Sequence, residues 1–379
     1  MTRFTLAVVA IIAGTATAHA GALDRSSQDI DIIFEEGNYL ELNAGYVAPD
    51  ISGSDFLGTG TSSGDVGDNY FQGSIAYKHQ VTDRLSLALI IDQPYGADIE
   101  YPLAVNGGSI LLGGTQAFLD SVAYTGLARW KFNERVSAHA GFRIQQLNAA
   151  VALNGLGYGP LNGYSGVYDG DTAPGFQVGV AYEIPEIAFR IAATYFSEIE
   201  HKLTADETLP GAPPGFSLVD GNDFEIDTPQ AVNISFQTGI AEGTLLFASF
   251  RFADYSALSV RPPEFEGITP PSTSLVSIDP VRDYTLGIGR QFTDRIAGSV
   301  TLNFSDTGPD DNVSPLAPID GRYGITLGGS YQVTQALKVS GGVNYTRFIS
   351  ANPTVAGVSL ADFDDNDAVA AGISIGYRF

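Results

Sequence analysis

Cysteine is absent from the chain, so it has neither a disulfide framework nor a thiolate metal site. Basic residues are scarce: 19 Lys and Arg stand against 43 Asp and Glu, a formal net charge of −24. That balance excludes nucleic acid, which needs a basic face. It also disfavours an anionic lipid surface unless divalent cations bridge the two. Methionine and tryptophan occur once each. Outside the first twenty residues, no stretch approaches the ~18 consecutive apolar residues of a membrane-spanning helix. Linkers, low-complexity tracts and heptads are missing too, so nothing marks a second globular domain.

The first twenty residues read as an address. Met1-Thr2-Arg3 carries a positive charge, "FTLAVVAIIAGTATA" is apolar, and Ala18-His19-Ala20 is an A-x-A cleavage site. Residues 1–20 are therefore expected to be a secretory signal peptide, with the exported chain beginning at Gly21. Residues 21–37 precede the first strand, and 38–379 hold all the regular alternation.

What is abundant is glycine (44), phenylalanine (22) and tyrosine (18), distributed among short strands and turn residues, which points to an all-β fold. "YLELNAGYVA" sets Leu40, Leu42, Ala44 and Tyr46 against Glu41, Asn43 and Gly45, and "FQGSIAYKH" and "RLSLALIID" alternate in the same way. The pattern recurs near 121–132, 136–147, 175–183, 187–196, 230–237, 244–253, 283–291, 297–305, 323–332, 337–346 and 368–379, making fourteen segments. Each has roughly the ten residues that a tilted strand needs to cross a bilayer.

The connections carry more information than the strands. Six are tight (81–84, 132–135, 183–186, 238–244, 292–295 and 333–336), and "VTDR", "FNER" and "FTDR" among them form a weak internal repeat. Seven are long and rich in Gly, Pro and Asp: 47–69, 94–119, 152–174, 197–228, 254–282, 306–321 and 349–367. Soluble sandwiches and propellers also alternate apolar and polar residues. A strict alternation of long loops with short turns, however, belongs to transmembrane barrels. Tyr46, Tyr77, Trp130, Phe132, Tyr182, Tyr195, Tyr331, Tyr345 and Tyr377 put aromatics towards the ends of the apolar faces, as membrane girdles require. In a bilayer every backbone polar group must be paired internally, so the sheet must close. The expected fold is an antiparallel β-barrel of fourteen strands in the outer membrane of a Gram-negative bacterium. The terminal strand, with Tyr377 and Phe379 facing lipid, resembles the C-terminal signature by which the barrel-assembly machinery recognises such proteins.

Three sets of residues are candidates for function. The third and fourth long loops are unusually apolar: "LNGLGYGPLNGYSGVY" holds Leu153, Leu156, Tyr158, Leu161 and Tyr164, and "LPGAPPGFSLV" holds Leu209, Phe216 and Leu218. They either capture a hydrophobic ligand or pack against each other as a cap; the apolar "SILLGG" (109–114) of the second loop has the same two readings. Arg143, Arg190 and Arg251 point into the lumen, where a cation meets either a ligand carboxylate or, more commonly, an acidic neighbour such as Glu41 or Asp92. Pro94, Tyr95 and Gly96 end the third strand. Proline removes a ladder donor there and glycine leaves space, so this is where the wall would open, unless it merely starts a loop. The acidic runs at 309–312 and 362–367 lack the glycine spacing of a calcium loop, and no metal or cofactor is expected. Of the histidines left after residue 20, His79 lies beside a turn, His139 points inward, and His201 lies in a loop expected to be mobile. No nucleophile motif accompanies them, and no enzyme is expected.

"EEGNYLELNAGYVAPDISGSD" at the start, "DQPYGADIEY" after the third strand and "TPQAVNISFQTGI" at the eighth resemble the FadL-type outer-membrane transporters of long-chain fatty acids and other hydrophobic compounds. The resemblance covers nearly the whole chain after residue 20. It implies a fourteen-stranded barrel with an N-terminal hatch, capture of substrate by the outer loops, and release sideways into the membrane beside a kinked third strand. It implies as partners a hydrophobic small molecule and outer-membrane lipid, with the barrel a monomer. The runner-up is a general diffusion porin or a structural barrel. One departure is plain: only seventeen residues (Gly21–Gly37) precede the first strand, without the family's Asn-Pro-Ala motif, so the hatch is shorter or differently anchored.

Overall fold

The computed structural model describes residues 23–56, 60–210, 221–306, 308 and 311–379. The expected signal peptide lies outside these residues. Fourteen strands form the wall: β1 (Tyr39–Asp50), β2 (Tyr70–Gln80), β3 (Leu85–Asp92 and Gly96–Glu100), β4 (Gln116–Lys131), β5 (Val136–Leu153), β6 (Tyr164–Ile184) and β7 (Phe189–Phe196 and Ile199–Thr208) in the first half. They continue with β8 (Asn222–Thr228 and Gln230–Ala241), β9 (Thr244–Asp254), β10 (Val281–Gln291), β11 (Ile296–Asp306), β12 (Arg322–Gln332), β13 (Leu337–Phe348) and β14 (Asp367–Arg378). Every strand pairs antiparallel with its chain neighbour, and β14 returns to β1 from Tyr39↔Arg378 to Asp50↔Asp367. The barrel is closed.

The tight turns explain the short repeat. Thr82 Oγ1, Asn133 Oδ1 and Thr293 Oγ1 each accept hydrogen bonds from the backbone N–H groups two and three residues on, at 2.8–3.2 Å. A polar side chain at that position replaces a backbone partner and reverses the chain.

Across the membrane zone the barrel is apolar outside and polar inside. Phe142, Ile144, Phe176, Val178 and Val180 are exposed outward, whereas His139, Arg143, Gln145 and Gln177 are buried inward. Of the expected girdle aromatics, Tyr46, Trp130, Phe132, Tyr182, Tyr331, Tyr345 and Tyr377 are exposed on the outer face. Further out the pattern inverts. Leu147, Leu153, Tyr164, Tyr168, Leu203, Phe224 and Ile226 turn inward and form an apolar core with Leu111, Leu112 and Phe265. Exposed Glu200, Lys202, Asp206 and Glu225 occupy the outward positions between them.

This inversion corrects two expectations. The loops placed at 152–174 and 197–228 are largely strand, because β5 and β6 run on to Leu153 and from Tyr164, and β7 and β8 continue as Ile199–Thr208 and Asn222–Thr228. Their Gly, Pro and Asp content read as loop, yet the alternation persists with its outward face now polar because water surrounds it. His201 accordingly sits in a strand, wholly buried, with its Nε2 3.1 Å from Gln145 Nε2.

The seam is finished by the last residue. The backbone N–H of Phe379 donates to the Asn38 carbonyl at 3.1 Å, and its ring stacks on Tyr77 of β2 with centroids 5.9 Å apart. Deleting Phe379 is expected to lower the yield of assembled barrel, read as the fraction showing heat-modifiable gel migration. Unchanged yield and folding would sink this assignment.

Candidate functional site

The residues from Leu23 to Gly37 run inside the barrel and are tied to its inner wall. Both oxygens of Asp24 accept from Arg251, from Nε and Nη2 at 3.1 Å each. Ser26 Oγ donates to Asp92 at 2.6 Å, and Asn233 donates to the Ser27 carbonyl at 2.7 Å. Gln28 donates to the Tyr95 hydroxyl and accepts from Arg143. Arg190 pairs with Asp31 at 3.0 Å, and the Phe34 ring lies between the Arg129 and Arg190 guanidinium groups, 4.4 and 4.3 Å from its centroid. Lys78 Nζ donates to the Glu35 and Gly37 carbonyls.

The three lumen arginines therefore carry carboxylate partners: Arg251 has Asp24, Arg190 has Asp31, and Arg143 has Asp92 at 3.7 Å. Pairing with an acidic neighbour was the commoner reading, but two of the three partners come from the N-terminal segment rather than from across the wall. Buried charges need such pairing, since an unpaired ion out of water costs several kcal/mol.

The wall is interrupted at β3. Its first segment pairs with β2 from Ile75↔Ile91 to Gln80↔Ser86, whereas Gly96–Glu100 pairs in ladder fashion only with β4. Four steps on β3 (92 to 96) oppose three on β4 (123 to 120), so the break holds one extra residue. Pro94, Tyr95 and Gly96 lie at this break. Ser121 Oγ accepts from the Tyr95 N–H and donates to the Tyr95 carbonyl, at 2.8 and 2.7 Å. The Pro94 carbonyl accepts from Arg25 N–H, and the Gly96 N–H donates to the Leu23 carbonyl, both at 2.9 Å. On the β2 side Gly73 N–H donates to Gln93 Oε1 at 3.1 Å. The space beside Gly96 is not empty, as its lack of a side chain had implied. An ideal Cβ there would lie 2.1 Å from Arg25 Nε, so glycine makes room for the arginine.

Two cavities adjoin the break. One, of about 510 Å³, is an open pocket at the gap between β2 and β3, lined by Tyr70, Phe71, Gln93, Asp98, Phe118 and Asp120 among others. Phe71 beside it is 76 % exposed. Partial burial, and then Glu100, Asp98 and Asp65 nearby, push the carboxyl of Asp68 at its rim above the ordinary range. The second cavity, of about 80 Å³, is lined by Leu23, Tyr95, Leu147, Leu203, Phe224, Ile226 and Tyr255 among others, with no Arg, Lys, Asp or Glu. Phe118 and Leu119 line both. A third cavity of about 380 Å³ lies in the lumen, lined by charged side chains such as Asp29, Glu41 and Arg190 and by apolar ones such as Ile90 and Phe247, and it reaches Arg25 and Gln93 at the break.

The sequence-predicted loop residues are distributed differently. Tyr158 and Leu161 pack into the outer apolar core, and the buried Tyr164 hydroxyl donates to Glu207 at 2.7 Å and meets the Tyr168 hydroxyl at 3.0 Å. Leu156 is 68 % exposed. Phe216 and Leu218 lie outside the described residues. Sequence reasoning missed Arg25, Leu23, Leu203, Phe224 and Ile226. The period-2 run "IEHKLTADE" (199–207), with charges at every outward position but one, was the available signal for Leu203.

A sequence model of the family described as outer membrane protein transport protein (OMPP1/FadL/TodX) matches residues 13–379. The chain belongs to this family. Among solved structures, a Pseudomonas aeruginosa FadL homologue is similar with a TM-score of 0.74 at 16 % identity, covering 92 % of each chain. The Pseudomonas putida toluene transporter TodX gives 0.63 at 11 % identity over 97 % of this chain and 98 % of that one. The Ralstonia pickettii toluene transporter TbuX gives 0.59 at 15 % identity over 91 % and 90 %. No curated protein sequence matches the chain. At these identities the solved structures establish the fold, and the family match places this member in the outer membrane.

Because Asp24 is buried and met by Arg251, Arg251→Met is expected to destabilise the barrel by about 3–5 kcal/mol, leaving the carboxylate unpaired. The double variant Asp24→Asn/Arg251→Met should recover most of that loss. Urea unfolding midpoints in detergent micelles would check both. A single variant as stable as the parent would mean that the pair does not hold the segment.

Proposed function

We propose that this family member admits small, neutral hydrophobic compounds through the outer membrane by passive diffusion, and that they leave sideways between β2 and β3. One observation carries the reading: the apolar cavity abuts the gap in the wall, with Phe118 and Leu119 lining both. Each buried CH₂ of a ligand is worth about 0.8 kcal/mol in such a cavity. The exposed Leu156 would offer first contact on the outer surface, Phe216 and Leu218 are proposed as further ligand-binding residues, and Tyr158, Leu161 and Tyr164 hold the cap in shape. Pro94, Tyr95 and Gly96 would define the exit.

A long-chain fatty acid is the less favoured cargo. The apolar cavity has no cation to meet a carboxylate, and Arg143, Arg190 and Arg251 are already matched by Asp92, Asp31 and Asp24. Two of the similar solved proteins are toluene transporters, in keeping with a neutral cargo. A general diffusion porin is disfavoured, because the N-terminal segment occupies the lumen that a porin keeps open. We read the barrel as a channel without catalysis, monomeric, and inserted in lipid by the barrel-assembly machinery.

Cells carrying the protein should take up labelled toluene faster than cells lacking it, with a smaller effect on labelled palmitate. Ala149→Phe, which projects a ring into the apolar cavity, should slow toluene uptake by about tenfold, equivalent to ~1.4 kcal/mol. Equal toluene uptake by cells with and without the parent protein would refute the proposed function.

A further inference from the structure

The lumen cavity and the open pocket at the gap have two lining residues in common, Arg25 and Gln93. These side chains are the partition between the inside of the barrel and the gap. Arg25 touches both edges of that gap. Its guanidinium carbon lies 4.1 Å from the centroid of the Tyr70 ring on β2. On the other edge Nη2 donates to Asp98 Oδ2 at 2.5 Å, and the shaft lies over Gly96, both in the second segment of β3. Arg25 is only 7 % exposed. Where the wall lacks ladder hydrogen bonds between β2 and β3, a side chain closes it.

The backbone around Arg25 is held firmly. Asp24 is clamped by Arg251, Ser26 by Asp92, Ser27 by Asn233 and Gln28 by Tyr95. The Arg25 side chain, in contrast, is held by one ion pair and one stacking contact. Unpairing a ladder breaks several backbone bonds at once, whereas a side chain changes rotamer on far shorter timescales than an element moves.

We infer that Arg25 is a side-chain gate: the N-terminal segment stays anchored while the guanidinium swings off Asp98 and Tyr70 to connect the interior with the membrane. This rests on the sideways route proposed above and names the group that controls it. Gly96 is then a specificity feature of the gate, since any larger residue would displace Arg25 from its seat. Gly96→Val would therefore loosen the closure, opposite to the narrowing that filling an empty space would produce.

The absence of cysteine makes a direct test clean. Ser74→Cys places one thiol on the wall of the lumen cavity. In liposomes, its reaction with a maleimide dissolved in the lipid phase reports passage through the gap. Adding Arg25→Ala or Asp98→Asn should speed that reaction by about tenfold, a shift of ~1.4 kcal/mol in the closed–open balance. Arg25→Lys, which keeps the charge, and the exchanged pair Arg25→Asp/Asp98→Arg should return it towards the parent rate. A bulky water-soluble maleimide should show no such change. Heat-modifiable migration controls for folding, and if Arg25→Ala does not assemble, Asp98→Asn decides. Parent-like labelling in a folded Arg25→Ala or Asp98→Asn barrel would overturn the gate. That result would leave the proposed function standing if the parent still carries toluene, and absent toluene uptake would remove that function whatever the labelling shows.

Discussion

In a bilayer an unpaired backbone N–H or C=O has no water to turn to, so the wall depends on β14 finding β1 along its full length. The same constraint governs the one interruption near the site. At β3 the orphaned groups are met by something other than a neighbouring strand: Ser121 for Tyr95, the backbone of Leu23 and Arg25 for Gly96 and Pro94, and Gln93 for Gly73. An opening in a membrane wall is tolerable when its polar groups are satisfied from within the protein. That requirement ties the N-terminal segment to the break.

The second organising fact is the change of solvent along the barrel. On β5 the inward positions are polar at His139, Arg143 and Gln145 and apolar at Leu147 and Leu153, with no change in the side-chain parity. In the membrane zone lipid takes the apolar face and the lumen takes the polar one. Beyond it, water takes the outer face and the apolar residues turn in to build a core. The apolar cavity lies where these regimes meet, next to the break, and shares Phe118 and Leu119 with the pocket at the gap.

Electrostatics then divides the lumen. The acidic side chains of the N-terminal segment consume the charge of Arg190 and Arg251, and Phe34 takes up the faces of Arg129 and Arg190. These arginines position the segment, and the cavity beside it keeps an uncharged lining. The proposal of a neutral ligand rests on where the cations are spent as much as on where the leucines are.

Strand number, short turns, aromatic girdles and closure were legible in the sequence because each is a local property. Period 2 puts alternate residues on opposite faces, and a Thr or Asn in a four-residue turn bonds to amides two and three positions away. The outer strand extensions were less legible, since their glycines, Pro174 and aspartates outweighed an alternation whose sense had reversed. The interval Pro94–Gly96 was recognisable as a break from its chemistry. Its occupant was not, because Arg25 meets Asp98 across 73 positions and Asp24 meets Arg251 across 227. The sequence by itself determined that the chain forms a closed membrane barrel, through repeated local alternation. Only the tertiary structure decided what fills the gap and what lines the cavity, because the folded barrel sets Leu23 of the N-terminal segment and Leu119 of β4 beside the β7–β8 pair Leu203 and Phe224, and these stretches carry no local sign of one another.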